Sequence, residues 1–148
     1  MNLPVTVLEP GDRERWTELW RGYLTFYETE LPADVYEATW ARIIDPNGAI
    51  HALGVRDADG RLVGLTHFFY HAHAWSRADA CYLQDLFVDA DFRGHGYARA
   101  LINGVAAAAR QRACLNLYWI THETNATARY LYDSVARYTG FVRYDFPL

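Results

Sequence analysis

Cysteine is scarce: Cys81 and Cys114 are the only two in 148 residues. They form no Cys-x-x-Cys pair, which argues against a disulfide framework, a zinc module or a thioredoxin-like redox site. A reducing, cytoplasmic setting is the expectation. Long apolar runs are missing too, so no membrane-spanning helix is expected. The opening Met1-Asn2-Leu3-Pro4 lacks the basic and apolar regions of a secretory leader. Positive charge is not in excess; the net charge of −4 offers nothing global to a nucleic acid. Repeats, low-complexity tracts and linkers are absent as well. What remains is a chain that is 51% hydrophobic, enough to bury one core, and a single domain over residues 1–148 is expected.

The stretch that carries most chemistry is Tyr82-Leu83-Gln84-Asp85-Leu86-Phe87-Val88-Asp89-Ala90-Asp91-Phe92-Arg93-Gly94-His95-Gly96-Tyr97-Ala98-Arg99. An apolar strand enters a turn with two glycines, and the turn opens an alanine-rich helix. Glycines let backbone N–H groups crowd around an anion, and the helix N-terminus adds a fixed partial positive charge. That combination is a main-chain cradle for a pyrophosphate. A Walker loop would need a Lys-Ser or Lys-Thr pair after the second glycine, and none follows. A dinucleotide fold would need an early βαβ unit and an acidic ribose ligand downstream, yet this turn lies late in a short chain.

A third candidate is the pyrophosphate of coenzyme A, and it rests on a resemblance. Arg93-Gly94-His95-Gly96-Tyr97-Ala98 resembles the Arg/Gln-x-x-Gly-x-Gly/Ala acyl-CoA signature of the GCN5-related N-acetyltransferases. Further along, Asn125-Ala126-Thr127-Ala128-Arg129-Tyr130-Leu131-Tyr132 is similar to that superfamily's Asn-x-x-Ala-x-x-Leu-Tyr helix, and Gly140-Phe141 to its closing Gly-Phe. Within the superfamily, Tyr82-Leu83-Gln84-Asp85-Leu86-Phe87-Val88 and Trp119-Ile120-Thr121 resemble the spermidine/spermine and histone/polyamine branch. Gln84 departs from it, standing where a glutamate is usual.

Periodicity places these motifs on elements. Residues 5–8 read as a short strand, and Asp12 can cap a helix in which Trp16, Leu19, Trp20, Tyr23, Leu24 and Tyr27 recur at three- and four-residue steps. A second helix spans 33–44, and strands span 49–56 and 61–73, joined by an Asp-Gly turn. A strand at 80–88 precedes the glycine turn and its helix; a strand at 115–121, a helix at 125–136 and a last strand at 141–146 follow. The order β-α-α-β-β-β-α-β-α-β describes an α+β fold, one mixed, mostly antiparallel sheet with helices on both faces. It is also the order of the acetyltransferase superfamily.

The resemblance implies acetyl-CoA as co-substrate and direct transfer of its acetyl group to a primary amine of a small molecule, polyamine- or lysine-like. Alternatives under the same resemblance are a protein or peptide acetyltransferase, at lysine or an N-terminus, and a non-catalytic acyl-CoA sensor. It also implies that Arg93, Gly94, His95, Gly96, Tyr97 and Ala98 hold the pyrophosphate, mainly by backbone. Main-chain N–H groups of Leu86, Phe87 and Val88 are the candidates to meet the thioester oxygen. Tyr132 is placed to protonate the departing thiolate, and Asn125 either contacts CoA or caps its helix. Tyr27, Glu28 and Glu30 would rim the acceptor site, attractive to a cation. A homodimer is within what the resemblance implies.

The acceptor chemistry follows from the amine. A lysine-like amine, with a pKa of about 10.4, is protonated at neutral pH and must lose a proton before it can attack. A carboxylate can hold the cation and accept that proton, and Asp85 is the leading candidate, with Gln84 a second substrate contact. Strand alternation puts Asp85 with Phe87 and Asp89, opposite Gln84, Leu86 and Val88, so the two serve one acceptor only if a bulge re-aims one of them. His67, His71 and His73 share one strand face, but no acidic or thiol partner shares their spacing, and no metal is expected.

Overall fold

The computed structural model describes residues 3–148; Met1 and Asn2, where the leader was considered, lie outside the described residues. Strand β1 (Val5–Val7) leads through a single 3-10 turn into α1 (Arg13–Phe26) and α2 (Ala33–Ile44). Strands β2 (His51–Arg56), β3 (Leu62–His71) and β4 (Ala80–Val88) follow, then α3 (Tyr97–Gln111), β5 (Leu117–Tyr118) and α4 (Ala126–Val135). The sheet has the order β1-β2-β3-β4-β5. Its first three pairings are antiparallel, whereas β5 runs parallel to β4.

Helices cover both faces. Trp16, Leu19, Trp20 and Leu24 of α1 and Trp40 of α2 pack with Leu62 and Leu65 on one side. Leu101, Ile102, Val105 and Ala109 of α3 fill the other, joined by Leu131, Tyr132 and Val135 of α4. The three- and four-residue spacing of the α1 stripe is what lets one helix bury so many large rings at once. Two devices seat α1 on the sheet. Gly22 faces Phe87 so closely that a Cβ there would lie 2.9 Å from the ring. Arg15 donates to the Leu62 carbonyl at 2.8 Å and to the Asp89 carboxylate at 2.6 Å. Helix α1 is thereby tied to the end of β4, where the glycine turn begins.

Three sequence expectations change. The Asp12 carboxylate does not cap α1; it accepts instead from the Glu9 N–H and from Arg56. The strand expected at 115–121 shrinks to Leu117–Tyr118. The last strand, expected at 141–146, is absent from the sheet, and residues 136–148 are all exposed. An extended segment becomes a strand only where it pairs along an edge, and this segment does not pair with the sheet of its own chain. Among the described residues no helix is long and apolar enough to cross a membrane.

Candidate active site

The register of β3 against β4 passes from His67↔Asp85 to Phe68↔Leu83, leaving Gln84 as the extra residue of a β-bulge. Before the bulge, Cys81 and Leu83 pack toward α3; after it, Val88 and Leu86 do. Unbroken alternation from Leu83 would put Asp85 in that apolar layer. The bulge turns Asp85 and Phe87 to the α1 side and leaves Gln84 exposed.

On that side Asp85 is 7% exposed and His67 1%. His67 Nδ1 lies 3.0 Å from the Asp85 carboxylate, and Trp16 Nε1 donates to His67 Nε2 at 3.0 Å. An indole N–H can only donate, so Nε2 is the bare nitrogen and Nδ1 carries the hydrogen it gives to Asp85. Thr66 Oγ1 donates to the Asp85 carbonyl at 2.7 Å and fixes the backbone beside the bulge. Tyr23 faces the same carboxylate; burial first, then the charge and hydrogen bonding of Asp85, raise its pKa far above the phenol's ordinary value. Trp20 stacks on Tyr23 with ring centroids 4.9 Å apart and sets its edge against His67 at 4.8 Å.

Strands β4 and β5 pair only at Cys81↔Leu117 and Tyr82↔Tyr118, then part. Along the gap, the bond from Asp89 N–H to the Val63 carbonyl marks a hydrogen-bonded pair. Alternation then turns the Phe87 N–H toward β3 as well, and leaves those of Leu86 and Val88 directed at the gap. Tyr132 reaches the same opening from α4, its ring 5.4 Å from Trp119 of the segment after β5. Burial and the neighbouring Tyr27 push the Tyr132 phenol up to about 12, so it is a proton donor at neutral pH. Tyr130, on the far side of the helix, is 85% exposed. Asn125 caps α4, its side chain accepting from the Ala128 N–H at 3.3 Å.

At the end of β4, Gly94 and Gly96 both adopt left-handed backbone, with φ of 81° and 84°. A Cβ on Gly94 would meet nothing within 4 Å, and one on Gly96 only Leu3 Cδ1 at 4.0 Å. Their smallness therefore serves the turn and whatever approaches from outside, not packing. The first main-chain bond of α3 runs from the Ala100 N–H to the Gly96 carbonyl at 3.0 Å. The N–H groups of Tyr97, Ala98 and Arg99 accordingly have no acceptor within the helix and face the turn. Arg93 folds back, donating to the Val88 carbonyl at 3.1 Å with its guanidinium 5.6 Å from the Phe87 ring centre. His95 is exposed on the turn, and Tyr97 and Ala98 pack beneath it. A cradle of bare main-chain donors at the mouth of a splayed strand pair fits a pyrophosphate carrying an extended thioester arm.

Of the expected rim, Tyr27 ends α1 with its ring 4.9 Å from Tyr23, whereas Glu28 and Glu30 are exposed. Glu28 takes a left-handed backbone with φ of 53°. The three histidines separate. His67 has both nitrogens engaged, His71 is held by the Ala72 carbonyl and the Tyr118 hydroxyl, and His73 lies beyond the strand. Sequence reading missed Trp16, Tyr23, His67 and Tyr82 as a group. The first two were absorbed into the core stripe of α1, and only the fold brings them to Asp85.

This architecture defines an acyl-CoA-dependent transferase, and comparison with known proteins places it. Residues 13–136 match the Acetyltransferase (GNAT) family, and the chain belongs to that family. It is 35% identical to a D-amino-acid N-acetyltransferase of Saccharomyces cerevisiae over 141 residues, 95% of this chain and 88% of that one. The fold superposes on a ribosomal-protein-alanine N-acetyltransferase from Brucella melitensis biovar Abortus 2308, with TM-score 0.81 and 25% identity, covering 99% of this chain and 100% of the other. It also matches AAC(6')-Iy bound to a CoA-linked bisubstrate analogue, with TM-score 0.84 and 17% identity, over 100% of this chain and 99% of the other. The protein is an acetyl-CoA-dependent N-acetyltransferase.

Proposed function

We propose that this enzyme acetylates the primary amine of a small molecule, an amino acid or a polyamine- or lysine-like amine, by direct transfer. The observation that carries this reading is Asp85: a single buried carboxylate on the α1 side of β4, with Tyr23 beside it and Trp20 against its partner His67. One buried anion among aromatic rings suits one ammonium group. The printed activity of the yeast relative, on D-amino acids, has the same demand.

In this reading the amides of residues 93–98 hold the pyrophosphate, and Asn125 secures the start of α4. Bound acetyl-CoA supplies the activated acyl group. Leu86 and Val88 N–H groups polarise its carbonyl, Asp85 takes the amine's excess proton, and Tyr132 returns a proton to the leaving sulfur. Glu28, Glu30 and Gln84 guide the amine at the rim. Direct transfer is supported by the state of the thiols: burial, then the nearby Cys114, raise Cys81 to about 11, which disfavours its thiolate. The whole chain works as one unit in the cytoplasm.

A homodimer is part of the proposal. A compact chain of 17.0 kDa exposes about 7,700 Å², whereas this one exposes 10255 Å². The excess, about 2,500 Å², is of the size an obligate dimer buries. Residues 136–148 supply much of it: Val142, Tyr144, Phe146 and Leu148 alternate along an extended segment at 73, 91, 86 and 119% exposure. The outer edge of β5 ends the sheet and is open to a strand. A second copy of the chain, with the same arm and the same edge, satisfies both reciprocally. Light scattering should give a dimer for the full chain and a monomer once residues 137–148 are removed; a monomeric full chain would refute the dimer.

The function is tested by CoA release from acetyl-CoA with D- and L-amino acids, polyamines, lysine analogues, aminoglycosides and alanine-initiated peptides. The sequence contains no lysine, so lysine self-acetylation cannot obscure the readout. A small amine should saturate the enzyme, and Asp85→Asn should cut kcat/KM by about a hundred-fold or more. Turnover of peptides alone would make it a protein acetyltransferase, and acetyl-CoA binding without turnover a sensor.

A further inference from the structure

The contacts of Asp85 extend away from the acceptor into the core. A buried carboxylate paired with a buried imidazole costs desolvation that an apolar pair of the same volume would avoid. Nevertheless α1 spends the buried indole N–H of Trp16 there. We propose that Trp16 and His67 are positioning residues that aim the Asp85 carboxylate and keep positive charge off it. This rests on Asp85 being the proton acceptor of the proposed function.

The hydrogen-bond polarity supplies the reason. With Trp16 Nε1 donating to Nε2, His67 has no free lone pair. Protonating it would break that bond and leave the buried Trp16 N–H without its acceptor. With that polarity His67 gives Asp85 a hydrogen bond from Nδ1 and brings it no positive charge. An imidazolium in its place would put a positive charge against the carboxylate and weaken it as a proton acceptor. Trp16 thus controls Asp85 from two side chains away.

The other groups around the carboxylate do not neutralise it. Tyr23 faces it from α1 with Tyr27 behind; His67 faces it from β3; Tyr82 lies near it on β4, with Tyr118 of β5 and Arg143 of the C-terminal segment beyond Tyr82. Among the described residues, the one ion-pairing partner of Asp85 is His67. In the transfer, an ammonium N–H breaks as its proton joins the Asp85 carboxylate. The amine becomes neutral, Asp85 becomes a carboxylic acid, and His67 keeps its own proton.

The test is the pH dependence of kcat/KM with a saturating acetyl-CoA supply, for wild type, Trp16→Phe, His67→Asn and the double variant. Trp16→Phe keeps a ring but frees Nε2 to protonate. Its acid limb should move up by about one pH unit, as a new His–Asp ion pair forms. His67→Asn retains an amide donor for Asp85 and cannot titrate, so its acid limb should stay in place and the double variant should return to it. A loss in Trp16→Phe that is uniform across pH would show a merely structural role and overturn the assignment. Independently of any variant's folding, nitrogen NMR of wild type should show His67 as the Nδ1–H tautomer at neutral pH, and an Nε2–H or imidazolium signal would overturn the proposal. Asp85→Asn separates the two levels: full activity there refutes Asp85 as base, whereas lost activity with an unmoved Trp16→Phe limb refutes only the positioning pair.

Discussion

The two ends of β4 are built from different materials. Past its C-terminal end, the proposed donor half of the site is one contiguous stretch, residues 93–98, whose working groups would be backbone N–H at a helix start. At the bulge, the proposed acceptor half draws side chains from α1, β3 and β4, with Tyr132 arriving from α4. A main-chain cradle is insensitive to side-chain identity except where glycine is required. A side-chain network is sensitive at every member, because each buried donor left unmatched costs free energy. The donor half should therefore break at a few positions and the acceptor half at many.

The sharpest break should come at Gly96. A β-branched residue at φ of 84° is strained by roughly 1–2 kcal/mol and projects a side chain where the pyrophosphate approaches. Gly96→Val is expected to weaken acetyl-CoA binding by about a hundred-fold, which is ~2.7 kcal/mol, while circular dichroism shows the fold retained. Calorimetry giving wild-type CoA affinity would contradict the cradle.

Next in size is Tyr132. Replacing it with Phe should lower kcat by about a hundred-fold with CoA affinity unchanged. The pH sign follows from its environment: the group acts protonated and its pKa is pushed up to about 12, so activity is lost only as pH rises through that value. Wild-type kcat should show no falling limb from this residue below about pH 10; a fall near pH 8 that vanishes in Tyr132→Phe would mean that the phenol is more acidic than its burial allows.

The smallest effect tests the link between the halves. Arg15→Met removes the bond from α1 to Asp89, between side chains 19 and 22% exposed, and should cost about 1 kcal/mol in urea unfolding at neutral pH. Burial alone would raise the Asp89 carboxyl, but the bonds from Arg15 and the Asp91 N–H outweigh it and set it below 3.8. Such a carboxylate stabilises the fold above its unfolded pKa, and that contribution disappears as pH falls through the folded value. The gap between wild type and Arg15→Met should thus narrow below about pH 4; a constant gap would mean that Arg15 acts through its Leu62 bond.

The same division explains what could be read from the chain. The glycine turn, the Asn125 to Tyr132 helix and most element boundaries were legible, because each depends on residues close in sequence. Asp85 was legible as a carboxylate but not in its direction: the bulge at Gln84 is a misfit between two strands, and no local pattern marks it. Trp16 and Tyr23 looked like core because they obey the core spacing, and His67 looked like one of three equivalent histidines. The arm at 141–146 has the alternation of a strand, yet a strand also needs a partner edge, and the arm pairs with none on its own chain.

By itself the sequence determined the periods of helix and strand, the left-handed glycines and the unpaired amides of the phosphate turn, all set by local sterics and hydrogen bonding. Only the tertiary structure decided which way Asp85 points and what holds it. A one-residue slip between neighbouring strands exchanges the two faces of a sheet, and such a slip is settled by packing across the whole molecule.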